Sequence, residues 1–153
     1  NGYMGSSIPL FKKEYNREKE SYDDGDLDTL LSAIVLLNRA EVGEDVQESV
    51  DWLKEKFRED KGIFSLYSPV TGEKTSNIES TSIYAILLQV AEEIGDKELS
   101  SMCLYKLKTY QVSDKNSEIY GAFGDSNTME VFSFDNLNAL LAFRKLNREI
   151  ASE

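Results

Sequence analysis

The stretch Ser76-Asn-Ile-Glu-Ser-Thr-Ser-Ile-Tyr-Ala-Ile-Leu-Leu-Gln-Val-Ala-Glu-Glu-Ile-Gly95 decides the fold. Ser76 or Asn77 is placed to cap a helix start, with Glu79 completing a capping box. Ile83, Ile86, Leu87, Val90 and Ile94 recur at helical spacing, and Tyr84, Ala85, Leu88 and Ala91 fill the flanks. A helix apolar around so much of its girth must be covered by neighbours on several sides. Gly95 supplies a left-handed stop, and Asp96 can cap the next helix at once. The pattern predicts a buried helix over 77–94.

The same unit recurs on both sides. Asp23, Asp24, Gly25 and Asp26 form a capping turn before a helix over 27–40, in which Ser32 is the one polar residue between Leu30 and Leu37. Gly43 stops that helix and Asp45 caps the next, whose Val46, Val50, Leu53 and Phe57 make a one-faced stripe. The central helix is followed by Lys97 to Tyr110, one-faced through Leu99, Cys103, Leu107 and Tyr110. Phe134 to Asn147 is the last helix, apolar through Leu137, Leu140, Leu141, Phe143 and Leu146. Residues 1–9 read as an irregular lead-in, and Arg148 to Glu153 as a fraying polar end.

Buried and one-faced helices therefore alternate. Ala33, Ala85 and Ala142 mark the buried ones, 52 and 57 positions apart. Tight glycine turns join the helices on one side. On the other lie aromatic hairpins: one around Asn16–Arg17, one with a turn at Pro69–Gly72, and one with a turn at Asp125–Asn127. This alternation defines the fold class as all-α, an incomplete α/α toroid of about five alternating inner and outer helices. The long loops all lead into inner-helix N-termini, so they gather at one end, where a cleft would form. An open α-solenoid is the competing architecture. The whole chain, 1–153, reads as one partial domain.

Composition narrows function mainly by exclusion. A net charge of −11 disfavours nucleic acid, because phosphate binding needs a basic face. With no histidine and one cysteine, neither a metal site nor a cofactor is expected, and any catalysis falls to carboxylates, Tyr, Lys, Ser, Thr or the lone Cys103. No run is long and apolar enough to span a membrane. The chain opens on Asn1 rather than Met and shows no signal peptide, so it is expected to be part of something longer.

Four segments carry a family resemblance: Ile8-Pro-Leu-Phe-Lys-Lys-Glu-Tyr, Tyr22-Asp-Asp-Gly-Asp-Leu-Asp-Thr-Leu-Leu, Gly62-Ile-Phe-Ser-Leu-Tyr-Ser-Pro-Val-Thr-Gly-Glu-Lys, and Phe132-Ser-Phe-Asp-Asn-Leu-Asn-Ala-Leu-Leu-Ala. Together, over Ile8 to Leu146, they resemble the C-terminal half of glycoside hydrolase family 8-like proteins. The resemblance implies an (α/α)6 toroid of about twelve helices. It also implies secreted or lipoprotein enzymes at the cell surface or outside it, acting on β-linked glucans or exopolysaccharides. The family's general acid is a Glu in an early Glu-Gly-rich motif, and nothing in this chain matches it. Inverting hydrolysis needs two carboxyls about 6.5–9.5 Å apart. No such pair is assignable here, so the catalytic residues stay unassigned.

Substrate-binding candidates are Asp28, Tyr67, Glu79, Tyr120 and Asp135. The carboxylates stand near inner-helix N-termini, where capping is the simpler role: Asp26 is read as the cap of the first helix, with Asp28 free to point into a cleft. Asp135 is read as a cap of the last helix or a sugar-hydroxyl acceptor. Tyr67 and Tyr120, beside turns, are the aromatics expected to be exposed and able to stack on a sugar face. The expected partner is a polysaccharide or oligosaccharide. The alternatives are a non-catalytic saccharide-binding module and a helical protein-interaction scaffold. The bare apolar faces of the end helices call for cover by a second copy in a homodimer, or by the missing N-terminal half of the toroid.

Overall fold

The computed structural model describes residues 7–150, with side chains through residue 147. Five helices and six two-residue strands follow one another: β1 (Tyr15–Asn16), β2 (Ser21–Tyr22), β3 (Leu27–Asp28), α1 (Thr29–Glu41), α2 (Gln47–Asp60), β4 (Leu66–Tyr67), α3 (Thr81–Ile94), α4 (Lys97–Tyr110), β5 (Gly124–Asp125), β6 (Glu130–Val131) and α5 (Ser133–Ile150). This is an all-α fold with the helix order of an incomplete α/α toroid, its short hairpins leading into α1, α3 and α5. The chain divides into two units, Asn1–Glu79 and Ser80–Glu153. Residues 1–6 of the expected lead-in, and 151–153 of the expected polar end, lie outside the described residues.

In the first unit, α1 begins two residues later than its apolar run suggests. Its cap is Asp28, which accepts a hydrogen bond from the Leu31 N–H at 2.9 Å. Asp26, expected to cap, instead accepts from the Thr75 hydroxyl at 2.6 Å. The reason is that Leu27 and Asp28 are held extended by pairing with Leu66 and Tyr67, and a helix cannot start inside a strand. Ser32 is buried, and its hydroxyl accepts from the Phe11 N–H at 3.1 Å, pinning the lead-in segment over α1. That contact engages one of the two buried polar side chains of α1, Thr29 being the other. Before α2, Val46 occupies the cap position without a side-chain bond, and Asp45 accepts from the Gln47 N–H at 2.9 Å. Leu10, Leu27, Leu36, Val50, Leu53 and Ile63 form the core of this unit. Gly72 closes the β4 turn at φ +69°, and a Cβ there would lie 2.8 Å from Ile8 Cδ1.

In the second unit α3 is central, with α4 and α5 both packed on it. Every residue from Thr81 to Glu92 is buried, as the apolar girth predicts. The helix starts at Thr81 rather than Asn77, and Ser80 is its cap, accepting from the Ser82 N–H at 3.2 Å. The capping box expected of Ser76 or Asn77 with Glu79 is therefore not formed; the Ser65 N–H donates to the Ile78 carbonyl at 2.8 Å, holding that segment along the hairpin instead. Gly95 ends α3 at φ +71° and donates to the Ala91 carbonyl. Asp96 caps α4 as expected, 2.8 Å from the Leu99 N–H. Glu92 accepts from the Ser100 hydroxyl at 2.6 Å, a buried tie between α3 and α4. Side chains such as Leu87, Leu88 and Leu99 are fully buried, each contributing roughly 1.5–3 kcal/mol.

Candidate functional site

The hairpin ends of the helices hold the candidate residues, and they are built differently in the two units. In the first, β3 and β4 pair antiparallel, setting Leu27 opposite Tyr67 and Asp28 opposite Leu66. The buried Thr29 hydroxyl donates to the Phe64 carbonyl at 2.7 Å, and the Thr29 N–H to the Ser65 carbonyl at 3.0 Å. Segments 26–29, 64–67 and 75–79 are thus laced together. Asp28 and Tyr67 belong to this lacing and Glu79 ends the third segment, with Asp28 and Glu79 half-exposed.

Tyr67 corrects the expectation of an exposed ring. It is 0% exposed, its ring meeting Trp52 edge-on at 5.0 Å between centroids. Its hydroxyl accepts from the Phe64 N–H at 3.1 Å. A ring so enclosed is a core side chain and offers no face to a sugar. Burial is the main cause that pushes its phenol up to about 12. The folded state therefore holds the proton where the unfolded chain, near pH 10, gives it up. This contribution to stability is intact below pH 10 and is lost as pH rises towards 12. Alkaline titration of Tyr67→Phe, followed by circular dichroism, should show shallower loss of stability across that window. Near neutral pH the same variant should cost about 1–2 kcal/mol, because the Phe64 N–H loses its acceptor.

In the second unit, Asp135 stands in the first turn of α5 and accepts from both the N–H and the hydroxyl of Ser82. It caps α3 across space, which corrects its reading as a cap of its own helix. A carboxylate there also meets the positive end of the α3 dipole. Beside it, Asn136 accepts from the Phe123 N–H at 2.9 Å and donates to the carbonyls of Phe123 and Phe132 at 2.8 and 3.0 Å. Tyr120 lies in the turn before β5 and is 54% exposed, as expected. Phe132 and Phe134 are also exposed, whereas Phe123 is buried and stacked on Phe143 at 6.2 Å.

A hollow of about 450 Å3 in the same unit was not foreseen from the sequence. Gln111, Ser113 and Asp114 form one side, and Gly124, Asp125 and Ser126 the other. Asp114 and Asp125 each accept from the N–H two residues on, a local turn signature that hides a shared wall. Chemically, the exposed carboxylates of Asp114 and Asp125 and the hydroxyls of Ser113 and Ser126 can accept hydrogen bonds from sugar hydroxyls, and the exposed ring of Tyr120 elsewhere in the unit can stack on a pyranose. Among the described residues, no group of three or more His, Cys, Asp or Glu could hold a metal ion.

The comparisons with known proteins agree with this architecture. No family model matches the chain. It is 48% identical to "a novel alpha-amylase from Clostridium perfringens", with a TM-score of 0.89 over 95% of this chain and 44% of that one. PssZ from Listeria monocytogenes shares the fold at 16% identity, with a TM-score of 0.64 over 90% of this chain and 41% of that one. The Bacillus subtilis (strain 168) protein named "Putative lipoprotein YdaJ" is 26% identical over 139 residues, 90% of this chain and 38% of its own length. The chain thus spans less than half the length of each of these three proteins. Its fold is glycosidase-like, an incomplete helical toroid. No helix among the described residues is long and apolar enough to cross a membrane.

Proposed function

We propose that this chain is part of a carbohydrate-active protein of glycoside hydrolase family 8 type, supplying part of the wall of a saccharide-binding cleft. The observation that carries the carbohydrate-active part of this reading is the 48% identity, over 95% of the chain, to a protein described as an alpha-amylase; the family 8 type rests on the sequence resemblance alone. The residues named for saccharide contact are Asp28 and Glu79 within the first unit and, independently of them, Tyr120 and Asp135 within the second. Asp28 and Asp135 have their helix-capping oxygens engaged, so their role is to accept sugar hydroxyls with the remaining lone pairs. The ligand is an oligosaccharide or polysaccharide. The amylase neighbour points to α-glucans and the family resemblance to β-glucans or exopolysaccharides, so both belong in the test. A place at the cell surface or outside the cell draws support from the name of the B. subtilis relative.

Affinity electrophoresis in gels holding soluble starch or soluble β-glucan tests the proposal. The chain should be retarded in at least one gel, and Tyr120→Ala should weaken that retention about fivefold, the worth of roughly 1 kcal/mol of ring contact. No turnover is expected of the 153-residue chain, because no acid–base carboxylate pair is assigned within it. Unchanged mobility in both gels, or hydrolysis abolished by Glu79→Gln, would contradict the reading. Saccharide binding with no hydrolysis even in a longer parent protein would turn it into a non-catalytic binding module.

A further inference from the structure

One face of α5 exposes apolar side chains that the proposed function does not use. Leu137, Leu140 and Leu141 are 59%, 65% and 48% exposed, and Phe134 continues the same stripe. At 100° per residue these four occupy one arc, and Arg144, also exposed, closes its C-terminal end. The opposite arc holds the buried Ala139 and Ala142, and Lys145, at the flank of the stripe beside Leu141, pairs with Glu93 of α3 at 2.9 Å. Such a cluster of large apolar side chains is more than an isolated domain usually leaves in water. Saccharides do not account for it, since leucine side chains offer no flat face for a sugar to stack on and no hydrogen bond.

The internal repeat says what covers it. Aligned through Ala85 and Ala142, Leu141 falls at the position of Tyr84 and Leu140 at that of Ile83. Tyr84 is buried, its ring stacked on Tyr110 of α4 at 6.1 Å with Lys106 of α4 above it. The position bare in α5 is therefore the one that a one-faced helix covers in α3. We propose that the exposed face of α5 is the seat of such a one-faced amphipathic helix, belonging to polypeptide of the same protein beyond these 153 residues. Its apolar stripe would lie on Leu137, Leu140 and Leu141, with a carboxylate set against Arg144. The length of the structural neighbour supports this occupant, because more than half of that chain lies outside the matched part. A second copy fits less well, since each copy brings a net charge of −11.

The test is a chimera in which this chain replaces the matched part of the Clostridium perfringens protein, studied beside the isolated chain. The double substitution Leu137→Glu and Leu141→Glu should lower the chimera's melting temperature by about 5 °C or more, the consequence of placing two carboxylates in an apolar contact. It should leave the melting of the isolated chain nearly unchanged, while abolishing its binding of a hydrophobic dye. The proposal is overturned if the substituted chimera melts with the parent, or if the parent chimera is no more stable than the isolated chain. It is equally overturned if the isolated chain forms a discrete, saturable dimer in sedimentation that the double substitution breaks, for then a second copy is the cover.

Discussion

Tyr84→Ala is expected to destabilise the second unit by about 3–5 kcal/mol, the range for truncating a large buried aromatic. Tyr84 is fully buried on α3, stacked on Tyr110 and lying under Lys106 of α4. Truncation removes the ring from the helix that both α4 and α5 pack against, and the backbone of a helix buried on all sides cannot collapse into the space. Domains of this kind are stable by about 5–15 kcal/mol in all, so the loss is a large share of the total. Urea denaturation followed by circular dichroism measures it, and Tyr105→Ala serves as the control, because Tyr105 is an exposed residue of α4. A loss at Tyr84 no larger than at Tyr105 would show that α3 is not the organising helix.

Asn136→Ala is the second large effect, about 2–3 kcal/mol, since one side chain makes three hydrogen bonds to the backbone. Its amide pairs with both backbone groups of Phe123 and with the Phe132 carbonyl, so it clamps the β5–β6 hairpin to the start of α5. Removing it leaves the Phe123 N–H and carbonyl without their partner. Asn138→Ala is a matched comparison: half-buried Asn138 donates to the Phe134 carbonyl one turn back at 2.8 Å in a solvent-exposed bond, which predicts a change within about 0.5 kcal/mol. Thermal melts of the two variants, with amide exchange read at Phe123 and Val131, distinguish a clamp from a general loss of helix. Equal effects of the two substitutions would remove the clamp from the account.

Local pattern made the helices legible. Lys97 to Tyr110 falls where its stripe and its Asp96 cap place it, and Gly95 stops α3 as a left-handed glycine should. The exposed Leu137 and Leu141 also follow from the sequence, since a helix so apolar at the end of the repeat lacks partners enough to cover it. What the sequence did not disclose depends on pairing between distant residues. Leu27–Asp28 pairs with Leu66–Tyr67, and that short ladder moves the start of α1, frees Asp26 for Thr75 and buries the ring of Tyr67. Likewise Asp135 reads locally as the cap of its own helix, while in space its carboxylate shares the Ser82 N–H of α3 with Ser80. A capping residue announces that it will accept a hydrogen bond, but it does not say from which helix. At the candidate site, residue types were therefore more legible than the faces they present.

The most direct test of a saccharide wall at the hairpin ends is a two-dimensional NMR titration of the chain. Soluble oligosaccharides from starch and from β-glucan would be added separately, up to millimolar concentration. The account predicts saturable shifts with at least one class at Tyr120 and around Glu79, with the exposed sides of α2 and α4 silent. No shift with either class, or saturable shifts confined to α2 and α4, would contradict it.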